Sequence, residues 1–430
     1  MPRAVGFTRY ATVERIVVKT MNLVAPLWRS INSHVTYVAI TGSLGKTTTK
    51  ELLSAILKEQ GISVVSTFDT YNGCRGIART LIRVRPRHRV AVIEVAGGKP
   101  DNASEGAAMV RPDIAIITVI ADVHSREHSG PEEIARHKLR LLEHLRPGGV
   151  AIVNGADPLL ADARPPHAAS LRRFNVPTEN SLHADDVEAC WPDRLSFRLH
   201  WKNHCYPVRT RLVGAHWIPS VLAALTAAQE LGVSLEAAID ALSRVEPYRG
   251  RLEPVPLPNG AMMLRDETNG SLCSYGPALR ILREARVRQR WLVVSNVTDV
   301  REGSHAKGRL IGHSIADSAD YCLMVGSMTK KSRKTALASG FPEERVLHLP
   351  TWQEAAAHLR EQTAPGDLIL VRACYSDKLE RIWYAQWGEV ACEADACPHL
   401  WMCDHCKGLG FRMTAPGWPE GAQGWDPRFG

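Results

Sequence analysis

The chain reads as an α/β protein: a central domain with a mostly parallel sheet, a second Rossmann-like domain, and a short cysteine-rich tail. Three observations predict this. Apolar, largely β-branched runs alternate with helical stretches from Val35 to about Pro158. A glycine-punctuated turn joins the first run to the first helix. A second alternation of runs and helices occupies 291–371. Near-continuous apolar strands separated by helices bury both faces of a parallel sheet, and such sheets carry their ligands at the carboxyl ends of the strands.

Composition sets the bounds. The 430 residues suffice for two or three domains with their own cores, and the apolar fraction of 45% is that of a soluble globular chain. No apolar run reaches the roughly 18–20 residues that span a bilayer. The net charge of +8 is spread along the chain and gives a bias toward anions. Ten cysteines in a chain of this size do not make a secreted disulfide scaffold, so a reducing cytoplasm is expected.

Residues 1–34 are amphipathic and Arg-bearing, without the apolar core and cleavage site of a secretory signal. They predict a helix packed on the first domain, on a partner or on a membrane surface. A transit peptide is the other reading.

The first strand, Val35–Ile40, runs into Thr41-Gly42-Ser43-Leu44-Gly45-Lys46-Thr47-Thr48. A helix with apolar Leu52, Leu53, Ile56 and Leu57 follows. Strand, Gly-rich turn and helix is the layout of a phosphate-binding loop (P-loop). Gly42 and Gly45 let the backbone turn its N–H groups toward phosphate oxygens, and the helix start adds partial positive charge. Lys46 would reach the β/γ-phosphates of ATP, and Thr47 would offer a hydroxyl to Mg2+.

The later runs are Ser63–Ser66, Val90–Val95, Ile114–Val119 and Val150–Val153. Polar residues follow each. Glu94, at a strand end beside the phosphate loop, is placed to hold Mg2+. His124 follows the buried 114–119 run, and a helix begins near Pro131, a favoured first-turn residue. Helices are also expected over Ile218–Leu231 and Leu235–Ser243. Residues 159–210 read as an antiparallel β excursion.

The tail carries Cys392-x4-Cys397-x5-Cys403-x2-Cys406, with His399 and His405 between. Four soft ligands at these spacings suit a tetrahedral structural Zn2+, with redox or unligated thiols as the alternative.

The segment 41–51, TGSLGKTTTKE, resembles the loop of the Mur ligase family, ATP-dependent amide ligases of peptidoglycan precursor synthesis. The resemblance covers roughly 35–385. It implies that Gly42, Ser43, Gly45, Lys46, Thr47, Thr48, Asn72 and Asn154 serve the nucleotide. Thr47, Glu94, His124 and Lys138 would serve Mg2+. Lys138 lies fourteen residues beyond His124, the spacing of the family's carbamylated lysine. A CO2 adduct would turn a cation that opposes the metal into an anion that holds it. Arg251 resembles the family arginine that approaches the γ-phosphate. Asp266 and Asn269 resemble residues that contact ribose or base.

The implied domains are 1–34, a helical extension; 35–247, the ATP-binding domain; 248–387, the Rossmann-like domain; and 388–430, the tail. Two departures bear on substrate. Ser295-Asn296-Val297-Thr298-Asp299 and Val371-Arg372-Ala373-Cys374-Tyr375-Ser376 differ from the family's amine-binding loops. The family's N-terminal UDP-sugar domain has no counterpart among the 34 residues before the first strand. The expectation is an ADP-forming ligase joining a small or carrier-bound carboxylate to an amine in a specialised pathway. The alternative is a nucleotide-binding accessory subunit that docks a protein partner through a zinc tail. Nucleic-acid binding is not expected, because the tail has no Lys/Arg–aromatic stripe.

Overall fold

The structure, a computed structural model, describes residues 20–96, 102–121, 130–166, 168–268, 270–295, 311–315, 317–394, 397, 399 and 402–416. The chain divides into two compact units. The first holds the residues up to Val187 with Phe197–Thr210 and Trp217–Val245; the second holds Glu188–Ser196, Arg211–His216 and the chain from Glu246.

The first unit opens with a helix at 20–31 (α1). Its sheet has six strands: β1 (Thr36–Thr41), β2 (Val64–Ser66), β3 (Val90–Glu94), β4 (Ile114–Ile117), β5 (Val150–Asn154) and β6 (Ser170–Phe174). Their order is β2-β3-β1-β4-β5-β6, parallel throughout. The central strands are wholly buried, as their unbroken apolar runs predict. Register aligns Ile40 with Glu94 and Thr41 with Ile117, which puts three strand ends at one level.

Helices α2 (Lys46–Glu59), α3 (Cys74–Ile82), α4 (Asn102–Val110) and α5 (Pro131–Glu143) connect these strands. Three further strands, β7 (His183–Glu188), β8 (Ser196–Trp201) and β9 (His204–Arg209), form a separate small sheet. Helix α6 (Ile218–Glu230) is apolar over most of its surface and buries every residue from Ser220 to Ala228. It packs on α2, and α7 (Leu235–Leu242) follows, capped by Ser234.

One sequence expectation is corrected here. The β excursion expected over 159–210 is narrower, because β6 belongs to the parallel sheet. As an edge strand with exposed Ser170 and Arg172, it shows the polar alternation of a one-sided strand.

The second unit's sheet runs β10-β11-β15-β12-β13-β14. These are β10 (Glu253–Pro256), β11 (Met262–Asp266), β12 (Arg290–Val294), β13 (Tyr321–Val325), β14 (Val346–Leu349) and β15 (Leu368–Arg372). Only β10 is antiparallel, and its Pro254 and Pro256 suit an edge. The helices are α8 (Tyr275–Glu284), a short α9 at 311–315, α10 (Lys330–Ala338), α11 (Trp352–Gln362) and α12 (Arg381–Trp387). A capping box of Thr351 and Glu354 starts α11.

The tail pairs β16 (Gly388–Val390) with β17 (Phe411–Met413) and packs into this unit. Cys403 and Leu409 join an apolar cluster with Trp383, Tyr384 and Trp387.

The zinc expectation is not supported. Among the described residues no group of three or more His, Cys, Asp or Glu is placed to hold a metal. Cys392, Cys397, Cys403 and Cys406 are all described, so they do not converge into a cage. The reason is local. Cys403 is buried in the apolar cluster, and burial pushes its thiol far above the usual range. Its N–H donates to Glu380 Oε1 at 2.8 Å. The residue that ties the tail down is Asp404, whose two oxygens accept from Arg265 Nη1 and Nη2 at 2.9 Å each.

Arg265 is fully buried and also meets Glu267 at 2.6 Å and Glu253 at 3.4 Å. One guanidinium cannot neutralise three carboxylates. Asp404, with both bonds to Arg265 and a third from Tyr384 at 3.0 Å, is held below the usual carboxylate range despite its burial. Glu267 is pushed up to about 8, chiefly by burial and against the pull of Arg265.

The sign follows from proton counts. Between about 4.5 and about 8 the folded chain keeps a proton on Glu267 that the unfolded chain has lost. Stability from this group therefore falls as pH rises through that window. Glu267→Gln is expected to flatten the decline, measured as the slope of thermal midpoint against pH. An unchanged slope would refute the assignment of the proton to Glu267.

Candidate nucleotide site

The loop after β1 is shaped by contacts that only glycine allows. At Gly42, φ is +149°, and a Cβ there would lie 1.9 Å from Thr118 Oγ1. Thr118 stands just past β4 and donates from Oγ1 to the Leu44 carbonyl at 2.6 Å. Ser43 N donates to the Val119 carbonyl at 2.6 Å, and Ser43 Oγ to the Ala121 carbonyl at 3.0 Å. Gly45, at φ +84°, begins α2, and a Cβ there would meet Ser220 Oγ at 2.5 Å. No side chain caps α2, and its first turn holds no acid. The positive dipole end of this helix is therefore not offset by an acid in its first turn and suits an anion.

Lys46 folds back over the loop. Its Nζ donates to the Gly42 carbonyl at 2.7 Å and the Ser43 carbonyl at 3.2 Å. Thr47 Oγ1 donates to Glu94 Oε2 at 3.0 Å, and Asn72 Nδ2 donates to Glu94 Oε1 at 2.8 Å. Glu94 is buried at the end of β3, and its N–H donates to Thr67 Oγ1 at 3.0 Å. A hydroxyl and a carboxylate in contact beside a phosphate loop are the hard oxygen ligands that Mg2+ takes. The residues present fit that ion, and Thr47 and Glu94 would be its protein ligands. Magnesium uses few protein ligands and leaves the rest to water and phosphate.

Lys138 lies on the buried stripe of α5 with Ile134, Ala135, Leu141 and Leu142. It is 1% exposed. Burial first, and the nearby Lys46 charge second, hold its pKa well below that of an ordinary lysine. Among the described residues no carboxylate bonds to its Nζ.

Other predicted residues are placed as follows. Thr48 is buried in α2. Asn154 ends β5, and its Oδ1 accepts from Ala156 N at 3.2 Å and Asn175 Nδ2 at 3.4 Å, which makes it a turn former in this structure. His124 and Asn269 lie outside the described residues.

In the second unit, Asp266 is buried and accepts from Arg372 Nη1 at 2.5 Å. Burial raises its pKa, while Arg372 and Arg251 oppose the rise. Its carboxylate thus binds a guanidinium of its own chain. Arg251 sits in a turn fixed by neighbours: Gly250 N donates to Glu253 Oε2 at 3.1 Å, and Thr268 Oγ1 donates to the Gly250 carbonyl at 2.7 Å. His216 is half-buried near Arg372, and desolvation lowers its pKa to about 3, so it is neutral.

Sequence reasoning missed three supports. Thr118 walls the loop, Thr67 holds Glu94, and Lys50 Nζ donates from the buried face of α2 to the carbonyls of Thr67 at 2.9 Å and Asp69 at 2.6 Å. The signal for Thr118 was present: it is the first polar residue after the apolar stretch Ile114–Ile117.

Gly42→Ala forces a Cβ into Thr118 at a backbone angle that alanine rarely takes. We expect ATP affinity to fall at least about tenfold, a loss of roughly 1.4 kcal/mol, with the circular dichroism spectrum unchanged. Calorimetric titration with ATP checks it, and unaltered affinity would refute the loop's role.

The Mur ligase middle domain matches residues 40–228. The UDP-N-acetylmuramoyl-tripeptide–D-alanyl-D-alanine ligase of Bacillus subtilis is 26% identical over 347 residues, covering 80% of this chain and 74% of that protein. The Escherichia coli enzyme of the same name is 28% identical over 308 residues, covering 71% and 67%. Among solved structures, the D-alanyl-D-alanyl ligase of Acinetobacter baumannii superposes with a TM-score of 0.73 at 25% identity, over 84% of this chain and 78% of that one. The MurF ligase of Thermotoga maritima in complex with ADP gives 0.72 at 19% identity, over 85% and 82%, a likeness of fold. Residues 40–228 thus match a Mur ligase middle domain, and this is the stretch that holds the glycine loop, the strand-end Glu94 and the buried Lys138.

Proposed function

We propose that the chain is an ADP-forming ligase that joins a carboxylate to an amine. The observation that carries this is the Thr47–Glu94 contact beside a glycine loop whose helix start is uncapped. In the proposed reaction a substrate carboxylate oxygen attacks the γ-phosphorus of ATP. The β–γ bridging bond breaks, giving an acyl phosphate and ADP. The neutral amine then attacks the acyl carbon, and phosphate leaves with the bonding pair. Bound Mg2+ would neutralise the developing charge on the phosphates. Lys46 and the α2 N–H groups would hold those phosphates, and Arg251 is the family-like candidate for the γ-phosphate charge. No side-chain nucleophile is needed, because positioning and charge neutralisation carry both steps.

Lys138 fits carbamylation on physical grounds. Its depressed pKa favours the neutral amine that adds CO2, and the anionic adduct would be attracted by Lys46. With His124, it would complete the metal's surroundings.

The relatives are named for UDP-N-acetylmuramoyl-tripeptide and D-alanyl-D-alanine. Our reading for this chain is a different acid and amine, small or carrier-bound. It is supported by the altered 371–376 loop, where Arg372 bonds Asp266 and the Ser271 carbonyl and stacks over Tyr275 at 4.6 Å. That guanidinium is committed inside the protein. No helix among the described residues is long and apolar enough to cross a membrane.

The test is ADP and phosphate release with ATP and Mg2+ across panels of acids and amines. UDP-muramoyl peptide with D-Ala-D-Ala belongs in the panel. Release requiring both co-substrates is expected, and folded protein that forms no ADP with any pair would overturn the ligase reading. Turnover of the muramoyl peptide would place the chain in peptidoglycan synthesis. Lys138→Ala should lower turnover about a hundredfold while the fold survives. Carbon-13 bicarbonate should give a carbamate resonance that Lys138→Ala removes.

A further inference from the structure

Helix α1 buries only one of its faces. Ala25 is fully buried, Trp28 Nε1 donates to the Val84 carbonyl at 3.0 Å, and Arg29 Nε donates to the Val110 carbonyl at 2.9 Å. The opposite face is apolar and open to solvent. Leu23, Leu27 and Ile31 are 75%, 65% and 71% exposed, and their spacing of four sets them in one stripe. A soluble helix normally turns charged residues outward at such positions.

The loop beside this helix supplies the charge. Residues 83–89 read Arg-Val-Arg-Pro-Arg-His-Arg. Arg83, Arg85, Arg87 and Arg89 are all exposed, while Val84 and His88 turn inward. Two bonds fix the loop against the helix region: Trp28 to Val84, and His34 Nε2 with the Pro86 carbonyl at 3.0 Å. Among the described residues, none of the four arginines has a carboxylate partner. Their field is felt nearby, since Arg87, Arg85 and Arg83 add to burial in lowering the pKa of His88. The nearby Asp113 is already held by Arg29 and Arg146.

We propose that this face, the Leu23–Leu27–Ile31 stripe with the Arg83–Arg89 loop, docks the protein on an anionic phospholipid bilayer. An apolar stripe that enters the headgroup boundary and an adjacent cation cluster that meets lipid phosphates are the two components of interfacial binding. A second copy of the chain fits less well, because it would bring an equal cluster of unpaired arginines to the same seam. The contact is peripheral and independent of the ligase reading.

The test is co-sedimentation of the full chain with vesicles of phosphatidylcholine containing roughly 30% phosphatidylglycerol, against phosphatidylcholine alone. We expect binding to the anionic vesicles, weakened by salt. Leu23→Gln with Leu27→Gln should cut partitioning about tenfold, and Arg83→Gln with Arg87→Gln should do likewise, each with thermal midpoint unchanged. Equal partitioning to both vesicle types, none to either, or no loss in a folded variant overturns the proposal. So does self-association in solution that the leucine substitutions abolish, which would make the stripe a dimer seam.

Discussion

The close approach of Gly42 to Thr118 is the constraint on which the first unit's chemistry depends. A hydroxyl occupies the space that any other residue's Cβ would need. That approach brings the loop onto the end of β4, so that Ser43 bonds the backbone there and α2 starts at the correct level. Everything else is set by sheet register. Because β1 pairs with β3 and β4 in parallel, Glu94 and Thr118 flank the loop from either side. The site is therefore a property of strand order, with side chains that differ far apart in sequence delivered to one edge.

Much of this was legible from residues alone. The β1–loop–α2 unit declared itself through an apolar run, two glycines and a helical repeat. Glu94 was legible because a carboxylate ending a buried run has few structural reasons to be there. Lys138 was singled out through the family resemblance, and in the structure it occupies a core position of an amphipathic helix, four residues after Ile134. The alternation over 291–371 likewise gave the second parallel sheet.

What was not legible depended on distant partners. Arg265 stands next to Asp266, which resembles a nucleotide-contacting residue, yet it is the centre of a buried ion cluster. Its partner Asp404 lies 139 positions away in a tail that read as a zinc module. Local spacing made the cysteines conspicuous, but the packing of Cys403 into an aromatic cluster decided their placement. The edge strand β6 was lost for a simpler reason. Strands exposed on one face alternate as hairpin strands do, so periodicity alone cannot tell which sheet they join.

The Arg265–Asp404 pair also bears on where this molecule can be divided. A buried ion pair adds little net stability, but removing one member leaves the other desolvated and uncompensated. A shortened chain ending after Trp387 would take the doubly bonded Asp404 from Arg265, leave that guanidinium to Glu267 and Glu253, and uncover the apolar cluster that Cys403 and Leu409 fill. The cysteine-bearing appendage is thus the closing stone of the C-terminal half, part of its core and not an add-on.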